Sequence, residues 1–168
     1  GLQALDDRMK QAVDKGEIAG ISYALVKDGE VANLKFVGAQ SLGGRPMQAD
    51  TLFRIRSTGK TITAVAMMQL WEQGKWKLSD PVSKFIPEFA NLQVKKAGGG
   101  TEPQRSPMTM AQLMSHSAGF AVSAVYEKDN LSATDLQGMI DKLKTLPLET
   151  QPGTSWDYGP SVNIQGYI

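Results

Sequence analysis

An α+β fold is predicted by the order of local signals along the chain: a helical period opens it, two strand-like runs joined by a tight turn follow, and helices dominate the rest. Leu2, Leu5, Met9 and Val13 fall on one helical face between charged residues, which predicts an amphipathic helix over about residues 3–15 ended by Gly16. GISYALV and EVANLKFVG come next, joined through Lys27-Asp28-Gly29, and an Asp-Gly pair between such runs is a strong antiparallel hairpin signal. One face of the hairpin is expected to lie against the first helix.

Residues 38–50, rich in glycine and polar types, read as a loop. From Ile62 to Trp71 only Thr63 and Gln69 are polar, so this helix, ended by Gly74, is expected to lie inside the protein. Asp80 is expected to cap a short helix that begins at Pro81, runs through Phe85 and Ile86 and stops before Pro87. Residues 94–107 read as an exposed loop. Helices over about 109–115 and 134–146, and a Pro-Gly turn at 152–153, complete the pattern. NIQGYI closes on an apolar, helix-like run without a polar tail, and only two strands are read, too few for a stable sheet. The fold is therefore expected to be incomplete.

Composition narrows the function. The 168 residues are 41% hydrophobic, enough for a core, and 18 Lys+Arg against 17 Asp+Glu leave a formal charge of +1. Without a basic patch or run, no nucleic-acid partner is expected. The absence of cysteine excludes disulfides and thiolate metal sites. No stretch approaches the ~18 apolar residues of a membrane span.

The segment FRIRSTGKTITAVAMMQLW carries two competing motifs. Gly59, Lys60 and Thr61 satisfy the end of a phosphate-binding loop, but Arg54 stands where the first glycine must allow the tight turn. The phosphate reading fails at its most demanding position. The alternative is S-x-x-K: on a helix, Ser57 and Lys60 share a face, and the positive end of the helix lies beside the serine. Such a serine is suited to acyl transfer if a base takes its proton. Bringing a lysine from ~10.4 to ~7.4 takes about 4 kcal/mol of differential interaction, which burial or a second cation can supply. A phenol within reach would share protons with it as a coupled pair. Alone, S-x-x-K is equally compatible with ordinary capping and solvation.

With its flanks, TLFRIRSTGKTITAVAMMQLWEQGKWKLSDPVSKFIPEF resembles the first motif region of the serine β-lactamase and penicillin-binding-protein superfamily. The likeness is nearest to class C β-lactamases and the β-lactamase-like family VIII carboxylesterases. The hairpin around KDGE, the segment MTMAQLMSHSAGF and the block PGTSWDYGPSVNIQGYI follow in family order. The resemblance implies Ser57 as nucleophile, Lys60 as its general-base partner and Tyr158 as the proton-shuttling tyrosine. It implies a substrate that is a small-molecule ester or amide, an acyl-enzyme on Ser57, and an oxyanion held partly by the Ser57 backbone N–H. No cofactor is called for.

One departure separates possible substrates. β-Lactamases of this type read Y-x-N in the tyrosine block, whereas here the third position is Pro160, with neither a side-chain amide nor a backbone N–H. That disfavours β-lactam hydrolysis and favours carboxylic esters. Asn163, one helical turn on, is a candidate substrate-binding residue, as is Tyr126, which resembles an aromatic near the acyl pocket of family VIII esterases. His116, the only histidine, falls in a family segment that is usually structural, and a lone histidine without clustered carboxylates makes no metal site. Trp156 and Asp157 are expected to shape the loop that bears Tyr158.

The resemblance also implies a third motif, K-T-G or an esterase variant, on a strand not found in these 168 residues. The chain is accordingly expected to be the N-terminal portion of a longer enzyme, inactive alone, with the C-terminal half of the same enzyme as partner, either continuous with it or as a separate chain. Residues 1–55 are expected to belong to an α/β region with an antiparallel sheet, and 56–168 to a mostly helical region carrying both motifs. Two functions stay open at this stage: an ester hydrolase or acyltransferase, and an amide-directed β-lactamase or penicillin-binding homologue, including one that acylates slowly. The compartment, bacterial cytoplasm or periplasm, stays open too.

Overall fold

The computed structural model describes residues 1–121 and 135–168. The chain divides into two compact units, Gly1–Arg54 and Ile55–Ile168.

In the first unit, helix α1 (Leu2–Asp14) is followed by strands β1 (Gly20–Lys27) and β2 (Glu30–Gly38), which pair antiparallel from Gly20↔Gly38 to Lys27↔Glu30. Asp28 and Gly29 both take the left-handed conformation, φ 51° and 82°, which is the two-residue hairpin turn whose twist matches the strands. α1 packs on the hairpin as expected. Asp6 ties them together: its carboxylate accepts from the Tyr23 hydroxyl and from Asn33 Nδ2, each at 2.8 Å. The unit buries little, with Ala12 and Met47 as its buried apolar residues, and Val26, Val31 and Leu34 stay exposed.

The second unit opens with a 3-10 turn (Arg56–Gly59) that runs directly into helix α2 (Lys60–Glu72). Gln73 ends the helix and Gly74 follows at φ 70°. The expected burial of α2 on all sides is not met: Met67 is buried, but Ile62 and Val65 are 68% and 54% exposed. Only the face carrying Met67 and Met68 packs on the core of this unit, as far as the described residues go.

Two further expectations need correction. Asp80 does not cap a helix. Its carboxylate accepts from the Lys77 backbone N–H and from Lys84 Nζ, leaving Pro81 at the cap position of a short 3-10 turn (Val82–Lys84). Pro87 begins a second such turn (Pro87–Asn91) instead of stopping the chain, since a proline in a first turn has no N–H to lose. Residues 94–107 are not all loop either: strands β3 (Gln93–Lys95) and β4 (Thr101–Pro103) form a small antiparallel hairpin around the glycine run. The parallel bridge Val94↔Leu148 extends it.

Helix α3 (Met110–Met114) starts at a capping box, in which Thr109 Oγ1 accepts from the Gln112 N–H and Gln112 Oε1 accepts from the Thr109 N–H. Helix α4 (Leu136–Leu143) is capped by Asp135, and helix α5 (Ser161–Tyr167) follows Pro160. Ile86, Phe89, Met110, Leu113, Ile140, Leu143, Leu148 and Ile164 build one core, nearly all of it inaccessible to solvent. α5 packs on α2, α3 and α4, so its first residues and the loop before them are held above the start of α2.

Candidate active site

The chain arrives at Ser57 through a sharp bend. Arg56 stands at φ 51°, a left-handed conformation that a residue with a Cβ rarely adopts and that costs about 1–3 kcal/mol. The bend turns Ser57 out on the 3-10 turn, where it is exposed, with Lys60 half-buried at the first position of α2. The spacing of three does what was expected: Lys60 Nζ donates to Ser57 Oγ at 3.5 Å.

Tyr158 reaches the same oxygen from the other end of the unit. Its hydroxyl donates to Ser57 Oγ at 2.9 Å, and Lys60 Nζ lies 5.2 Å from the centroid of its ring. The three predicted groups therefore meet at one hydroxyl. Hydrogen bonding to Lys60, then to Ser57, and then the charge of Lys60 hold the Tyr158 phenol below its ordinary value, outweighing burial, which acts the other way.

Behind Tyr158 stands His116, at φ 58° just after α3. Its ring stacks on the Tyr158 ring, centroids 4.9 Å apart and planes inclined by 25°, and Trp156 meets it edge-on at 6.2 Å. The Gly159 N–H donates to His116 Nδ1 at 3.3 Å, and the Asp157 N–H donates to the His116 carbonyl at 2.9 Å. A Cβ at Gly159 would lie 3.1 and 3.2 Å from the Phe120 and Ala121 carbonyls, so a side chain there would require that backbone to give by a few tenths of an ångström. Burial first, and the positive charge of Lys60 second, hold His116 below its ordinary value.

Asn163 is exposed on α5 and lines an open cleft with Arg56, Lys60, Thr63 and Leu136, beside the three groups but without a hydrogen bond to them. Tyr126 lies outside the described residues. The left-handed Arg56 went unrecognised in the sequence, because arginine carries no signal for that conformation. Among the described residues no cluster of three metal-ligating side chains occurs, and no helix is long and apolar enough to cross a membrane.

The β-lactamase family model matches residues 5–168, and the chain belongs to the β-lactamase family. Esterase EstB of Burkholderia gladioli is 29% identical over 98% of this chain and 43% of its own length. Lovastatin esterase of Penicillium rubens is 27% identical over 98% of the chain and 45% of its own. Among solved structures, that of EstCE1, described as a hydrolase with promiscuous acyltransferase activity, superposes with a TM-score of 0.81 at 25% identity, covering 98% of this chain and 45% of that one. The fold is thus of the β-lactamase and transpeptidase type, and the relatives include esterases and acyl-transferring hydrolases. The chain spans less than half the length of these relatives.

Proposed function

We propose that this chain carries the acylating groups of a serine hydrolase that cleaves carboxylic esters or passes their acyl group to another acceptor. The observation that carries the reading is the convergence of Tyr158 Oη and Lys60 Nζ on Ser57 Oγ, at 2.9 and 3.5 Å. The likeness to esterases supports the choice of substrate class.

In this reading Ser57 Oγ attacks the ester carbonyl carbon, and its proton passes to the Lys60–Tyr158 pair. The carbonyl oxygen becomes an oxyanion facing the Ser57 N–H at the opening of the 3-10 turn, where helix geometry leaves amide donors free. The carbon–oxygen bond to the alcohol then breaks, and the pair returns the proton to the departing oxygen. Water, or a second alcohol, repeats the sequence in reverse and frees Ser57. Asn163 contributes to substrate binding from the rim of the cleft, and Tyr126 is proposed for the acyl pocket. Pro160, buried at the start of α5, offers no amide to hold a β-lactam, which favours esters over amides.

The test is hydrolysis of a chromogenic short-chain ester by the complete protein, with mass spectrometry of the trapped acyl group. Turnover should vanish in Ser57→Ala and fall by about 10²–10⁴ in Lys60→Ala and Tyr158→Phe. Covalent labelling of Ser57 by penicillin, without ester turnover, would replace this reading with that of a slow-acylating binding homologue.

A further inference from the structure

We propose that His116 is a positioning residue for this reaction: its neutral imidazole, with the proton on Nε2, holds Tyr158 against Ser57 by stacking on the phenol and accepting the Gly159 N–H. The proposal rests on the acyl-transfer reading of Tyr158, and it adds a group that touches neither Ser57 nor the expected position of substrate.

Four contacts lead to it, and all of them converge on the loop that bears Tyr158. The imidazole lies 4.9 Å from the phenol ring, near-parallel to it. Nδ1 receives the N–H of Gly159, the residue after Tyr158. The His116 carbonyl receives the N–H of Asp157, the residue before it, and Trp156 closes the outer edge of the ring. Tyr158 is thus gripped from both backbone neighbours and one ring face by a single residue. A histidine present only to fill space has no need of this pattern, since an aromatic hydrocarbon of similar size would stack as well.

The chemistry of the ring sets the protonation state. An N–H donor pointing at Nδ1 requires a lone pair there, so the neutral ring carries its proton on Nε2. Adding a second proton places N–H against N–H and brings a cation towards Lys60. Among the described residues, the charged and titratable groups around the ring are Lys60 from α2, Tyr158 itself, and Asp157, which adjoins through its backbone. Protonation therefore releases the Gly159 bond and loosens the phenol from Ser57, which makes His116 a second acid-side switch beside the ionisation of Tyr158.

The test compares the complete protein with His116→Gln, which keeps an acceptor that does not titrate, and His116→Phe, which keeps a flat ring without an acceptor. The acid side of log kcat/KM should steepen from a slope of one to a slope of two in the wild type and keep a slope of one in His116→Gln. His116→Phe should lose about tenfold or more in kcat with KM nearly unchanged, as expected when the phenol is misplaced and binding is not. A second arm does not depend on turnover. Nitrogen-15 spectra should give a pyridine-type Nδ1, and the ionisation of Tyr158, followed by ultraviolet titration, should rise in His116→Phe. Wild-type acid slopes matching those of His116→Gln, an Nδ1–H tautomer, or an unmoved Tyr158 ionisation in folded variants would each overturn the proposal. If no ester is turned over while the second arm holds, acyl transfer fails and the positioning of Tyr158 stands.

Discussion

Arg56 adopts a left-handed backbone immediately before Ser57, so the proposed nucleophile owes its outward projection to a strained neighbour. The strain, about 1–3 kcal/mol, persists only because the 3-10 turn and α2 are anchored behind it.

The first prediction concerns that bend. Arg56→Gly relieves the strain of about 1–3 kcal/mol but adds freedom to the unfolded chain, worth roughly 0.5–1 kcal/mol, so the net effect should be a stabilisation of about 0–2.5 kcal/mol. Arg56→Pro forces φ near −65°, which the bend cannot accept, and Ser57 should swing away from Tyr158. Ester turnover retained in the first variant and lost by more than about 100-fold in the second is the expected kinetic result.

A second prediction follows from the lowered ionisation of Tyr158. Hydrogen bonding to Lys60 leads the causes, so replacing Lys60 with methionine should move the phenol up towards or above its ordinary value of 10.0. Ultraviolet difference titration against Tyr158→Phe isolates this phenol from the other tyrosines. An ionisation that stays in place would show that Lys60 does not control it.

Asp6 supplies the third. Its carboxyl is held below the ordinary value by hydrogen bonds from Asn33 and then Tyr23, with Lys35 adding a little. The folded form binds fewer protons than the unfolded chain in that range, so the contribution is complete above about pH 4 and fades as pH falls further. Tyr23 behaves oppositely: burial first, and Asp6 second, push it up to about 12, so its contribution is complete below about pH 10 and is lost as pH rises through 12. Protection factors of the β1 and β2 amides, with the intrinsic exchange rate at each pH divided out, should be highest between those limits, and Asp6→Asn should remove the acid edge and weaken the alkaline one.

The core supplies the fourth. Ile164 on α5 is fully buried, so Ile164→Ala should cost about 2–5 kcal/mol in urea unfolding. Thr109→Ala breaks the capping box of α3 and should cost about 1 kcal/mol. A smaller loss at Ile164 than at Thr109 would contradict the packing described for the second unit.

Much of this was legible in the residues, and the reasons differ by element. The Asp28-Gly29 turn was legible because few residues tolerate two left-handed positions, whereas the Thr109 capping box went unread, with Thr109 placed inside the helix that it caps. The meeting of Ser57 with Lys60 followed from helical geometry alone. Tyr158 came only through resemblance, since nothing local links it to Ser57. β3 and β4 were hidden because three-residue strands are too short to show alternation, and their glycine run looked like loop. The burial of α2 was overestimated because apolar composition states what a helix can bury, not which neighbours this chain supplies. Aspartate before proline suggested a cap at Asp80, but Lys77 and Lys84 compete successfully for its carboxylate.

The hydroxyls of Ser57 and Tyr158 are 101 residues apart in sequence. At a synthesis rate of about 5–20 residues per second, the serine leaves the ribosome roughly 5–20 s ahead of the tyrosine. Throughout that interval the nascent chain displays an alcohol and an amine without their phenol. In the proposed reading, reactivity is therefore withheld at least until Tyr158 has been translated, and the long-range contact that would arm the serine also delays its arming.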